Sequence, residues 1–161
     1  MADPARKKSP QKLRPRPAAR FAALQALYQL EQTSAPAETV IDEFVRHRLG
    51  ADDGIAAGAD VPLFAKIVRG WAARAEALDG AIAATLAEGW PMARLDPVLR
   101  ALLRAAAAEL FDGEGAPARV VLDEYLDVAK HFFGAEEPRF ANGVLNQLAR
   151  SMRPAEFAPS V

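Results

Sequence analysis

Cysteine is absent from the 161 residues, which excludes disulfides, thiol catalysis, zinc–thiolate sites and iron–sulfur clusters together. A reducing compartment tolerates such a chain, and a cytoplasmic location is expected. β-Branched residues are scarce: Val, Ile and Thr total 17 against 36 alanines. Alanine is the strongest helix former and β-branched residues favour strands, so an all-α chain is expected. No apolar run approaches the ~18 residues of a membrane span, so no membrane partner is expected. The basic N-terminus is followed by proline and alanine where a secretory signal needs an apolar stretch.

Catalytic groups are equally sparse. His47 and His131 are the only histidines and fall in different helical stretches; neither belongs to a His-Glu-x-x-His motif. The acidic loop Asp52-Asp53-Gly54 lacks the alternating ligand spacing of a calcium site, so no metal is expected. No Gly-rich phosphate cradle is present, and Gly113-Glu114-Gly115 reads as a turn. Serine occurs only at 9, 34, 151 and 160, which suggests no Ser-His-Asp set. Asp123, Glu124 and Asp127 read as the exposed face of an amphipathic helix. No enzyme and no cofactor is expected.

What is present is helical periodicity and an uneven charge. The length suits one domain with a full core. Residues 1–20 carry seven Lys/Arg against one acid, while the rest carries 13 basic and 20 acidic residues, so a net of +6 is followed by −7. A cationic end on an acidic body points to a polyanion partner, the alternative being a solubilising tail. Residues 1–17 hold four prolines and one large apolar residue, Leu13, and are expected to form a disordered basic tail. Residues 18–153 form the helical domain, and residues 154–161, with two prolines, a loose end.

Within the domain about seven helices are expected to pack into a compact bundle. Phe21, Leu24, Leu27 and Tyr28 form one apolar stripe, with Arg20 and Gln25 placed off it. Asp60 and Asp96 are expected N-caps, each followed by a proline in the first turn. The long periodic stretch from Leu63 to Leu86 is expected to break at Asp79-Gly80 into two helices. Gly134 ends a later helix and Pro138 opens the last.

Three segments carry the functional signal. A basic tail runs into a helix bearing Arg20, Gln25 and Tyr28. Cations holding phosphates and an aromatic holding bases would suit single-stranded nucleic acid, the alternative being that Tyr28 is core. Arg139-Phe140-Ala141-Asn142-Gly143 places a glycine inside an apolar period, at a cost of ~1 kcal/mol against alanine. A neighbouring helix packed closely on Gly143 is the favoured explanation, and a ligand the other. Phe140 suits either a staple or a stacking platform. The third segment is Asp123-Glu124-Tyr125-Leu126-Asp127-Val128-Ala129-Lys130.

Taken together, Arg-x4-Gln-Ala-Leu-Tyr at 20–28, Leu-Leu-Arg-x4-Glu-Leu at 102–110, Asp-Glu-x4-Ala-Lys at 123–130 and Phe-x-Asn-Gly-Val-Leu at 140–145 resemble the NusB family of transcription antitermination factors. The resemblance covers about Arg16 to Arg150. It implies two small helical subdomains and a non-enzymatic protein. Such a protein binds boxA of ribosomal RNA transcripts together with NusE, a small-subunit ribosomal protein, and assembles with other Nus factors on RNA polymerase. It implies RNA contacts from Arg16, Arg20, Gln25, Tyr28, Glu137 and Phe140, to which the basic tail adds Lys12 and Arg14, and Arg139 stands beside Phe140 as a further candidate. The family's arginine run is denser than that spaced here by Pro15, Pro17 and Ala18.

Arg94, Asp96 and Arg100 are the expected NusE face, with ordinary solvated charge as the alternative. Structural roles are expected for Asn142, Gly143, Arg104 and Glu124, the last as one candidate partner for Arg104. A homodimer is compatible with the apolar faces. Two other readings are an accessory domain related to that of ribosomal RNA cytosine methyltransferases and a protein–protein adaptor with a solubilising tail.

Overall fold

The computed structural model describes residues 13–50, 54, 56–134 and 136–159, with the backbone alone at Glu136 and Glu137. Six α-helices and no strand occur among the described residues: α1 (Pro15–Thr33), α2 (Ala37–Phe44), α3 (Val61–Ala83), α4 (Pro97–Phe111), α5 (Ala118–Phe132) and α6 (Glu136–Met152). Val45–Leu49 prolongs α2 as a π-helical turn, and 3-10 turns occupy Met92–Arg94 and Pro154–Phe157. The all-α expectation holds.

α1 starts at Pro15, ahead of the expected Ala18. Prolines are tolerated in a first helical turn because the N–H groups there have no intrahelical acceptor. The Ala18 N–H donates to the Arg14 carbonyl at 2.9 Å and so closes that turn. The rest of the expected tail, residues 1–12, lies outside the described residues.

The expected break at Asp79-Gly80 does not occur there: the stretch is two helical segments joined across a kink at Arg74, five residues earlier. α3 runs on to Ala83, and its one non-helical residue is Arg74, at φ −136° and ψ 26°. Asp79 is held in helical register by Arg104 of α4, whose Nε and Nη2 each donate to its carboxylate at 2.9 Å. That tie opposes the turn an Asp-Gly pair otherwise favours. The caps are as expected. Asp60 accepts from the Leu63 N–H at 3.1 Å, and Asp96 accepts from Val98 and Leu99 at 2.8 and 3.2 Å.

α4 lies at the centre, packed by α1, α3, α5 and α6. Its Leu102, Leu103, Ala105, Ala106 and Ala107 are wholly buried, and the small alanines let neighbouring helices approach closely. The segment after α6 is anchored rather than loose. Arg153 donates to the carbonyls of Glu109, Leu110, Asp112 and Ala116, while Glu156 accepts from the Ala118 N–H at 2.9 Å. A buried guanidinium satisfying four carbonyls holds Pro154–Phe157 against the C-terminal end of α4 and the start of α5.

Candidate nucleic-acid interface

α1 turns an aromatic face toward the end of α5. Phe21 stacks on Phe132, with ring centroids 5.1 Å apart and planes 16° apart, and the His131 ring meets Phe21 edge-on at 6.2 Å. Tyr28 follows Phe21 by seven residues, two helical turns along the same face. Phe132 ends α5, and Phe140 stands near the start of α6. The Phe21–Phe132 stack therefore ties the end of α5 to the helix that carries Tyr28.

The Tyr28 and Phe140 rings are uncovered. Tyr28 is 39% exposed and Phe140 40%. A core role for Tyr28 is thereby excluded. Gln25, half-buried, lies one turn before Tyr28. Arg14, Arg16 and Arg139 are exposed, and the contact of Arg16 with Asp60 is long, at 3.9 Å. Lys12 lies outside the described residues, as does the side chain of Glu137.

Arg20 does not join this surface. It is 2% exposed, and its Nε and Nη2 donate to the two Glu109 oxygens at 2.6 and 3.1 Å, with Glu124 at 3.6 Å from Nη1. Placing Arg20 off the stripe was the error. Arg20, Leu24 and Leu27 follow i, i+4 and i+7, so the guanidinium faces the core. Its signal was Glu109, a lone acid between Ala108 and Leu110 in an otherwise apolar run. The Tyr125 hydroxyl also donates to Glu109, at 2.9 Å. Burial, reinforced by the Glu109 charge, pushes the Tyr125 phenol well above its ordinary pKa.

Arg104 is partly buried and paired, as expected, but not with Glu124. It binds Asp79 and Glu31 and lies 4.8 Å from the centre of the Trp71 ring. Glu124 belongs to the Arg20 site, on α5 rather than near α3. Arg100 is not a free docking residue either. It donates to both Glu31 oxygens and to the carbonyls of Met92 and Leu95, at 3.1 and 3.0 Å. These bonds, chiefly those from Arg100, hold the Glu31 carboxyl below its usual pKa. Asp96 is occupied as an N-cap, which leaves Arg94 as the exposed member of that trio without a structural task. Glu31 and Asp79 were missed as partners although each is half-buried and in register with an apolar stripe, Glu31 one turn after Leu27 and Asp79 one turn before Ile82.

Gly143 corrects another expectation. It is exposed, and a Cβ built on it would meet nothing within 4 Å, so no helix packs there. The apolar side of α6 is carried instead by buried Ala141, Val144, Leu145 and Leu148. Asn142 is exposed and accepts, through Oδ1 and its carbonyl, from Asn146 Nδ2 at 2.8 and 2.9 Å. Its bonds stay within α6. Among the described residues no group of three His, Cys, Asp or Glu side chains could hold a metal ion, and no helix is long and apolar enough to cross a membrane.

The NusB family model matches residues 17–150. The transcription antitermination protein NusB of Granulibacter bethesdensis is 53% identical over 152 residues, 90% of this chain and 93% of that protein. The solved T. maritima NusB superposes with a TM-score of 0.72 at 28% identity, covering 91% of this chain and 99% of that one. A chain from the crystal structure of antitermination factors NusB and NusE with double-stranded RNA superposes at 0.70, covering 84% of this chain and 96% of its own. At 23% identity that last likeness is one of fold.

Proposed function

This chain belongs to the NusB family, and from that premise we propose that it is an RNA-binding antitermination factor acting with NusE on boxA of ribosomal RNA transcripts. The function is one of binding, not catalysis. One observation supports the site above all: Tyr28 on α1 and Phe140 near the start of α6 stay exposed, with Arg14 and Arg16 exposed at the start of α1 and Arg139 beside Phe140 in sequence. Uncovered rings stack on unpaired bases, and flanking guanidiniums neutralise phosphates. Gln25 supplies an amide one turn from Tyr28. Lys12 enters as a cation of the basic N-terminal segment and Glu137 by what the family resemblance implies.

NusE binding to the helical body tightens the RNA complex, and RNA tightens NusE by the same factor. Arg94 is the residue left for that contact from the expected trio. The ternary complex then joins other Nus factors on RNA polymerase in the cytoplasm. A solved relative is named as NusB and NusE with double-stranded RNA, so strandedness belongs in the test.

Fluorescence anisotropy with a single-stranded boxA-type RNA, a scrambled RNA and a duplex, each with and without NusE, tests the proposal. Preference for boxA, sharpened by NusE, is expected. If four phosphates are neutralised, log K falls against log salt with a slope of about −3. Equal affinity for boxA and scrambled RNA would refute sequence-specific recognition.

A further inference from the structure

The outer face of α6 carries a feature that the aromatic pair does not use. After Glu136 and Glu137 at its start, α6 contains no Asp or Glu, and its arginines, Arg139 and Arg150, are both exposed. Phe140, Gly143, Gln147 and Arg150 follow i, i+3, i+7 and i+10, one stripe of the helix, and all four are exposed. Gly143 has open space where a side chain would stand, so packing does not explain a residue that weakens an exposed helix interior.

At the far end of the stripe two cations are held together. The Arg150 guanidinium lies 4.9 Å from the Phe157 ring centre, and that of Arg119, from α5, lies 5.5 Å from the same centre. The adjacent Glu156 carboxylate is engaged by Arg153 and the Ala118 N–H, and Asp123, one turn along α5, makes no ion pair with Arg119 among the described residues. An aromatic platform thus fixes two guanidiniums without neutralising them. That arrangement suits an oxyanion.

We infer that the RNA track continues along α6: a strand leaving Phe140 crosses Gly143, where the missing side chain admits its backbone, and sets a phosphate against Arg119 and Arg150. The inference rests on the RNA-binding reading above. Ten residues of helix separate Phe140 from Arg150, or ~15 Å, which a strand of a few nucleotides can span.

The test uses the full chain with a short boxA-type RNA and the same RNA extended by a few nucleotides at one end or the other. One extension is expected to raise the affinity of the unaltered protein. The double variant Arg119→Gln, Arg150→Gln should lose that gain, keep its affinity for the short RNA, and show a salt slope shallower by ~0.7 per lost phosphate contact. Lysine at both positions should restore the slope and serves as the folded control. Gly143→Gln should raise the melting temperature yet weaken binding of the extended RNA alone.

No gain from either extension, or an unchanged affinity and slope in the double glutamine variant, overturns the inference. If instead Tyr28→Ala and Phe140→Ala leave binding intact while the double variant abolishes it, the α6 track stands and the aromatic site falls.

Discussion

Arg20 of α1 forms a two-pronged pair with Glu109 of α4, 89 residues further along the chain, and the Tyr125 hydroxyl of α5 donates to the same carboxylate. Three helices are thus joined by one buried charge pair. Removing one partner leaves the other charged in the core, at a cost of about 3–5 kcal/mol. Arg20→Ala and Glu109→Ala are each expected to lower stability by that order in urea melts. RNA affinity per folded molecule should stay within about twofold, since Arg20 is closed to solvent; a loss tenfold or greater in correctly folded protein would return Arg20 to the binding surface.

Tyr28→Ala and Phe140→Ala should do the reverse. Each ring is more than a third exposed, so the melting temperature should hardly move. Loss of base stacking should weaken boxA binding by about 1–3 kcal/mol per ring. Anisotropy and thermal melts on the same samples separate the two effects.

Arg104→Ala breaks the pairs with Asp79 and Glu31 and uncovers Trp71. A stability loss of about 1.5–3 kcal/mol is expected, with RNA affinity spared. Equal losses in both would place Arg104 in the interface.

The acid limb of stability should carry the Glu31 signature. Arg100 and Arg104 lower its folded pKa, so the unfolded chain takes up protons first as pH falls. Its contribution is whole above the ordinary carboxylate pKa of about 4.3 and drains as pH drops through the folded value. Glu31→Gln should flatten urea midpoints over that window; an unchanged slope would show that the pair adds nothing.

At the alkaline end the sign reverses. The Tyr125 phenol is pushed upward by burial, so its contribution is whole below the ordinary value of about 10 and is lost as pH climbs toward the folded one. Tyr125→Phe should remove that part of the alkaline decline. The same decline in the variant would assign it elsewhere.

Sequence periodicity located every α-helix, because each buries an apolar stripe, and both aspartate caps, because their chemistry is local. It divides α3 at the wrong place, at Asp79-Gly80 instead of the kink at Arg74, since the tie that keeps Asp79 helical is made by Arg104, 25 positions away. It also mistook Arg20 for a surface cation. Charge says that a guanidinium needs an anion but not whether that anion is a phosphate or Glu109; the spacing from Arg20 to Leu24 and Leu27 decides it. Tyr28 and Phe140 were legible as candidates through the family motif, whereas their exposure depends on how α5 packs against α1 and how α6 packs against α4 and α5.

Arg153 closes this architecture in a way that bears on its assembly in time. Its guanidinium occupies carbonyls at the C-terminal end of α4, yet it lies beyond all six helices in the chain. On a ribosome, which releases a chain from its N-terminus onward, the central helix is made long before the group that finishes its end. The bundle is therefore locked by one of its latest residues, and a nascent chain halted before Arg153 would expose an open-ended α4 to chaperones and proteases.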